Sequence, residues 1–138
     1  MDYDYTARWQ RLNLEFANSP DNADAVLSVR VVVNDEVRIT QCRDTMVFST
    51  QIDVNKLNII TIENLTYNTK LIIQKVTLGL LSITEAMDQF AITRTRDTNE
   101  QFACYINDLG GNDIMTIQFE QNVFKKLLPY FTQGVLVP

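Results

Sequence analysis

The sequence predicts an all-β fold, an antiparallel β-sandwich of jelly-roll type with about eight or nine strands and one short helix near the C-terminus. Three observations predict it. Apolar and polar residues alternate along short runs, the period of a strand with one buried face. Those runs are rich in Val, Ile, Thr and Phe, side chains that suit a pleated surface. Asn, Asp, Gly and Pro recur between the runs roughly every ten residues, the spacing of sandwiches and barrels. A jelly roll comes first because the strands are many and only some are joined as hairpins. An immunoglobulin-like sandwich is the alternative, and its Cys…Trp…Cys order is absent because Trp9 precedes both Cys42 and Cys104.

Leu12, Leu14 and Phe16 alternate with Asn13 and Glu15 in a first strand, and NSPDNADA (18–25) is dense in turn residues. Leu27, Val29, Val31 and Val33 form one face of a second strand. Asn34-Asp35, a pair that tolerates positive φ, then turns the chain into Glu36–Ile39, which predicts a tight β-hairpin. Residues 46–52 give the next strand and 53–56 a turn. In LNIITIEN, Asn58, Ile60 and Ile62 face one way, and Leu57, Ile59 and Thr61 the other. A corner follows at 64–69. Leu71 to Leu78 is apolar on both sides, which predicts a strand covered on one face by the second sheet and on the other by a loop, a chain end or another protein. Gly79 marks a bulge or bend in that run. Residues 89–93, 101–106 and 114–119 give further strands, with NDLGGND (107–113) as a turn. Val123, Phe124, Leu127 and Leu128 have helical spacing ahead of Pro129, and the final VLVP adds an edge strand.

The 138 residues make a single domain with an aromatic N-terminal arm over about residues 1–10. With 46% hydrophobic and 21% charged residues, the composition is that of a folded globular chain. Twelve basic against seventeen acidic residues give a net charge of −5. That balance argues against nucleic acid as a partner, because neutralising phosphates needs a concentrated basic surface. No apolar run approaches the length of a membrane-spanning helix, so no membrane partner is expected. MDYDYTARWQ lacks the basic start and apolar run of a secretory leader. The two cysteines have no C-x-x-C spacing and are expected to be separate thiols.

Histidine is absent. Its absence removes Ser-His and Cys-His nucleophiles, His-based metal sites and imidazole acid–base work. A carboxylate pair could still hydrolyse a glycoside, but such sites sit in clefts of larger domains. The chain is therefore expected not to be an enzyme and to need no cofactor.

Three groups of residues remain as candidate sites. Asp53, Asn55, Asn64, Tyr67 and Asn68 offer a carboxylate, amides and a ring that suit a glycan if they cluster at one end of the sandwich. They also suit ordinary strand-capping loops. Asn107, Asp108, Asn112 and Asp113 offer oxygen ligands for a hard cation such as calcium, or the positive-φ residues of a turn. Tyr3, Tyr5 and Trp9 in the N-terminal arm, with Phe124, Tyr130 and Phe131 near the C-terminus, are apolar end segments suited to docking on another subunit. Asn64-Leu65-Thr66 is in addition a glycosylation sequon.

Residues 27–79 run LxVxVVVNDEV, a Phe-centred strand, a turn, NxIxIxN, a Thr-containing corner and LIIxxVxLG. This order resembles the jelly-roll carbohydrate-binding modules of the calcium-dependent xylan-binding kind. The resemblance implies a sandwich with a polysaccharide ligand at its loops, and calcium beside it. Asn34-Asp35 stands where those modules carry Asn-Gly, and the rings near the loops are Tyr67 and Tyr105. By general type the chain is also similar to small all-β structural proteins of tailed bacteriophages. That likeness implies a capsid decoration or tail-associated protein located in the virion, bound to virion proteins or to its own copies. An extracellular or cytoplasmic location is the alternative.

Overall fold

A computed structural model of the chain describes residues 6–82, 91–94, 101–102, 108–111 and 113–125. They form an antiparallel β-sandwich, with every strand pairing antiparallel. The strands are β1 (Trp9–Asn18), β2 (Leu27–Val33), β3 (Glu36–Cys42), β4 (Thr45–Asp53), β5 (Asn58–Asn64) and β6 (Lys70–Leu78), followed by β7 (Leu81–Ser82), β8 (Ala91–Arg94), β9 (Gln101–Phe102), β10 (Asp108–Gly110) and β11 (Ile114–Phe119). One sheet has the order β4-β1-β6-β10, with β7 also on β6; the other has the order β3-β2-β5-β11-β8-β9.

The two orders mirror each other. β4, β1, β6 and β10 stand in the same sequence as β3, β2, β5 and β11, and each matched pair is consecutive along the described strands. The chain therefore crosses between sheets at corners 19–26, 43–44, 65–69 and 111–113, all at one end. Hydrogen bonds tie these corners together: Asn18 N to Asp44 O at 2.9 Å, Ser19 N to Lys70 O at 3.3 Å and Leu65 N to Ser28 O at 2.9 Å. The opposite end holds the β2–β3 hairpin, the turn 54–57 and the tight turn at Gly79, where φ is 62°.

The core lies between the sheets. Leu12, Leu14 and Phe16 of β1 and Leu71, Ile73, Val76 and Leu78 of β6 meet Leu27, Val29 and Val31 of β2, Ile60 and Ile62 of β5, and Met115, Ile117 and Phe119 of β11. All are fully or almost fully buried, and each such side chain stabilises the fold by about 1.5–3 kcal/mol. A helical turn starts at Val123, and its buried Val123 and Phe124 close one side of the core. The remainder of the expected helix and the final VLVP lie outside the described residues.

The hairpin forms as predicted. Asn34 and Asp35 take φ of 48° and 71°, the left-handed pair of a two-residue turn that matches the twist of the strands. Asn34 also accepts from Ile59 N at 2.8 Å and donates from Nδ2 to Asn58 Oδ1 at 2.7 Å, which fixes the turn to β5. Asp35 is exposed, so Asp35→Gly relieves left-handed strain without losing a contact. It is expected to stabilise the chain by about 0.5–1 kcal/mol, read as a higher urea midpoint at unchanged slope.

Two expectations change. β6 is not doubly apolar. Its register to β1 runs Glu15 to Lys75 and then Phe16 to Ile73, so Gln74 is an extra residue, a β-bulge. The bulge shifts the alternation by one, which puts Leu71, Ile73, Val76 and Leu78 on the same inner face and leaves Ile72 alone outside. The bulge sits at Gln74, and Gly79 is a turn. Second, NDLGGND is only partly a turn: Asp108–Gly110 is strand β10, paired with Lys70–Ile72. Pairing uses peptide groups alone, so turn-forming side chains do not prevent it.

Candidate functional site

The proposed glycan residues are divided between the two ends. Asp53 and Asn55 precede β5, whereas Asn64 is its last residue and Tyr67 and Asn68 lie in the corner after it. β5 has 7 residues and so separates the groups by roughly 20 Å. Loops flanking one strand of a sandwich lie at opposite ends, which is why proximity in sequence did not become proximity in space.

At the corner end Asn64 is fully buried and serves the fold. Its Nδ2 donates to Thr69 Oγ1 and to Leu109 O, each at 3.1 Å, and its Oδ1 accepts from Thr66 N at 3.0 Å. Thr66 Oγ1 in turn accepts from Ser28 N at 2.9 Å. A single amide thus joins β5, the corner and β10. It cannot accept a glycan while folded, so the sequon is closed in this structure. Tyr67 projects from the same corner, 73% exposed, and Asn68 adopts φ of 59°. A Cβ on Gly111 would lie 2.5 Å from Thr66 O; glycine is needed there for the two corners to touch.

That contact brings the proposed cation loop beside Tyr67. Asp113 Oδ2 accepts from Gly110 N at 2.9 Å, and Asp113 N donates to Gly110 O at 3.0 Å, the pattern of a capped turn. Asn107 and Asn112 lie outside the described residues, and only the backbone of Asp108 is described. Among the described residues no three Cys, Asp or Glu side chains gather as a metal site.

At the opposite end Arg8 Nε donates to Asp53 Oδ2 at 2.8 Å, and Asn55 N donates to Asp53 Oδ1 at 3.0 Å. The Arg8 guanidinium also lies 5.6 Å from the Trp9 ring centre, within cation–π reach. Burial works to raise the Asp53 carboxyl. The Arg8 and Asn55 hydrogen bonds, with the charges of Arg8 and Lys56, outweigh it and hold the group below its ordinary 3.8. A depressed folded value contributes stability that is whole above the unfolded value and is lost as pH falls through the folded one. Below about pH 4 the melting temperature of the wild type is expected to fall more steeply than that of Asp53→Asn. Parallel curves would contradict the assignment.

Beside this ion pair is a cleft of about 410 Å³ lined by Trp9, Asn34, Glu36, Gln51, Asp53 and Lys56, among others. Trp9 is 55% exposed and remains available to a partner. Phe124 does not: it is buried in the core of its own chain, because the turn at 123–125 folds its ring inward. Tyr3, Tyr5, Tyr130 and Phe131 lie outside the described residues. Cys42 is a free, buried thiol, raised by burial and by the nearby negative charge of Asp44, and so poorly reactive. Cys104 lies outside the described residues.

The least expected feature is the outer face of the β3-β2-β5 sheet. Val37 and Ile39 of β3 are 55% and 62% exposed, and Leu57 and Ile59 are 50% and 42% exposed. Val32 lies between them, paired with Val37 on one side and Thr61 on the other. The charges on this face cancel, Arg30 Nη1 meeting Glu63 Oε1 at 3.0 Å. The signal in the sequence was Val37 and Ile39 on the otherwise polar strand EVRITQ. The excess apolar surface that the sequence predicts for β6 belongs here. Comparison with known proteins finds no matching family model, no matching curated protein and no matching solved structure.

Proposed function

We propose that this chain is a non-enzymatic structural protein that docks on neighbouring protein subunits through the outer face of the β3-β2-β5 sheet. One observation carries the reading: Val37 and Ile39 on β3, and Leu57 and Ile59 on or just before β5, stand exposed on either side of β2, around charges that are already paired. Large apolar side chains grouped on a surface mark protein contacts. A neutral face favours neither nucleic acid nor an anionic surface. The setting we propose is a virion, with the chain as a capsid decoration or tail-associated protein of the tailed-phage type.

The test uses the full chain, tagged and expressed in phage-infected cells of its native host. Wild-type protein is expected to sediment with purified particles, and the Leu57→Glu, Ile59→Glu double variant to stay in the supernatant. Wild type in the supernatant, or a variant that sediments undiminished, overturns the reading.

A second reading, a carbohydrate-binding module, is favoured by the cleft beside Trp9. There an exposed ring adjoins Gln51, Glu36 and Lys56, a stacking surface beside polar groups. Retention on a polysaccharide panel, lost in Trp9→Ala, supports it. No retention with or without chelator counts against it.

A further inference from the structure

We infer that two copies of this chain pair through β3, edge to edge and antiparallel, with Ile39 of each copy facing Ile39 of the other across a two-fold axis. β3 is the end strand of its sheet, and among the described residues nothing pairs with its outer side. Which peptide groups it presents follows from the hairpin. Val33 and Glu36 close a two-residue turn, and such a closing pair exchanges both hydrogen bonds. Glu36, Arg38, Thr40 and Cys42 therefore turn their peptide groups to β2. Val37, Ile39 and Gln41 present theirs at the open edge. The Asn34 N bond to Ile59 O agrees, since it sends the alternate residues of this segment toward β5.

Among the devices that usually protect an edge, this one carries only the charges of Glu36 and Arg38, which neutralise each other. EVRITQC holds no Pro, Gly or Lys, its register to β2 is unbroken, and its outward Val37 and Ile39 are exposed. An edge of this kind is a template for another strand. The second copy is selected by self-complementarity. Opposed residues must point to the same face, so a two-fold axis has to pass through a like pair. With Ile39 on the axis, Val37 meets Gln41 of the other copy, and all three outward-facing residues of each strand find partners. Arg38 then faces Thr40, and Glu36 faces Cys42, so no like charges oppose. With Arg38 on the axis, two guanidinium groups would meet. With Val37 on the axis, the pairing would run out into the Asn34-Asp35 turn. Within each copy, Arg38 Nη2 already holds Glu36 Oε1 at 2.7 Å, which makes the edge nearly neutral in an acidic protein. The pairing also joins the two outer faces into one surface.

This inference does not rest on the docking reading, because edge pairing uses peptide groups and docking uses side chains. Ile39→Pro removes an N–H that bonds nothing among the described residues, a position where a sheet edge tolerates proline. Sedimentation equilibrium of the full chain is expected to give a dimer, and Ile39→Pro to weaken association by at least about tenfold. A second pair of variants fixes the register in a Cys104→Ser background. Ile39→Cys is expected to form an interchain disulfide under mild oxidant, since the two Cα atoms would be about 5.5 Å apart. Val37→Cys is expected not to, since its copies would be about 13 Å apart. A monomeric wild type, an Ile39→Pro variant that associates undiminished, or cross-linking through residue 37 instead of 39 overturns the inference. A dimer that persists in Leu57→Glu, Ile59→Glu while particle binding is lost separates the two proposals.

Discussion

Asn64→Ala is expected to lower the stability of the chain by about 3 kcal/mol, because the fully buried residue serves the fold. The amide holds three separate groups with one side chain: Thr69 Oγ1, Leu109 O and Thr66 N. Its removal takes a partner from each of these groups at a largely buried site, and buried groups that lose partners lose desolvation energy. The corner 65–69 and the β10 pairing would loosen together. Urea unfolding monitored by tryptophan fluorescence measures the loss, and Asn68→Gly serves as a control. Asn68 is exposed with φ of 59°, so glycine there is expected to be neutral or mildly stabilising. A loss under about 0.5 kcal/mol for Asn64→Ala would mean that the corner is held by other contacts.

The second large effect separates two single-residue deletions in β6. Removing Gln74 is expected to change stability by less than about 1 kcal/mol, because the remaining residues alternate regularly and Leu71, Ile73, Val76 and Leu78 stay inside. Removing Ile72 is expected to cost about 3 kcal/mol or more. If the register from Ile73 onward is kept, Leu71 moves to the solvent face. If the chain instead straightens the bulge, Gln74 enters the core where Ile73 packed. Either way one large apolar side chain leaves the interior. Thermal melts of both deletions measure the contrast. Equal effects would refute the assignment of Gln74 as the extra residue.

These two cases also mark how far the sequence could be read. The β2–β3 hairpin was legible because its cause is local: Asn-Asp supplies the positive φ and the flanking residues alternate. The same holds for β5, whose inner Asn58, Ile60 and Ile62 were separated correctly from Leu57, Ile59 and Thr61. The bulge was not legible, because nothing in KLIIQKVTL reveals that β1 pairs with it out of step. Likewise, β10 depends on a distant edge at Lys70–Ile72, and its own residues carry turn preferences. Strand patterning pointed to a sandwich and the run 71–78 to surplus apolar surface, and only the sheet order shows that this surface is the outer side of β3-β2-β5.

For the candidate sites the limit is similar. Asn64 looked like a ligand-binding amide because its type and neighbours suit that role. The folded chain uses it instead to satisfy buried groups, which depends on the position of Leu109, 45 residues away. Trp9 remained exposed and Phe124 did not, though both are aromatic residues near chain ends. Burial was decided by the packing of the 123–125 turn, and spacing alone could not separate them.

The central claim is that β3 and the outer face beside it make contact with protein. Hydrogen–deuterium exchange of the full chain, free and bound to particles, tests this most directly. Peptides covering 36–42 are expected to be protected already in the free dimer, and binding is expected to add protection at 57–61, with 64–69 and 110–111 unchanged. Rapid exchange of 36–42 in the free chain, or protection on binding confined to the corner 64–69 with 57–61 unchanged, would contradict it.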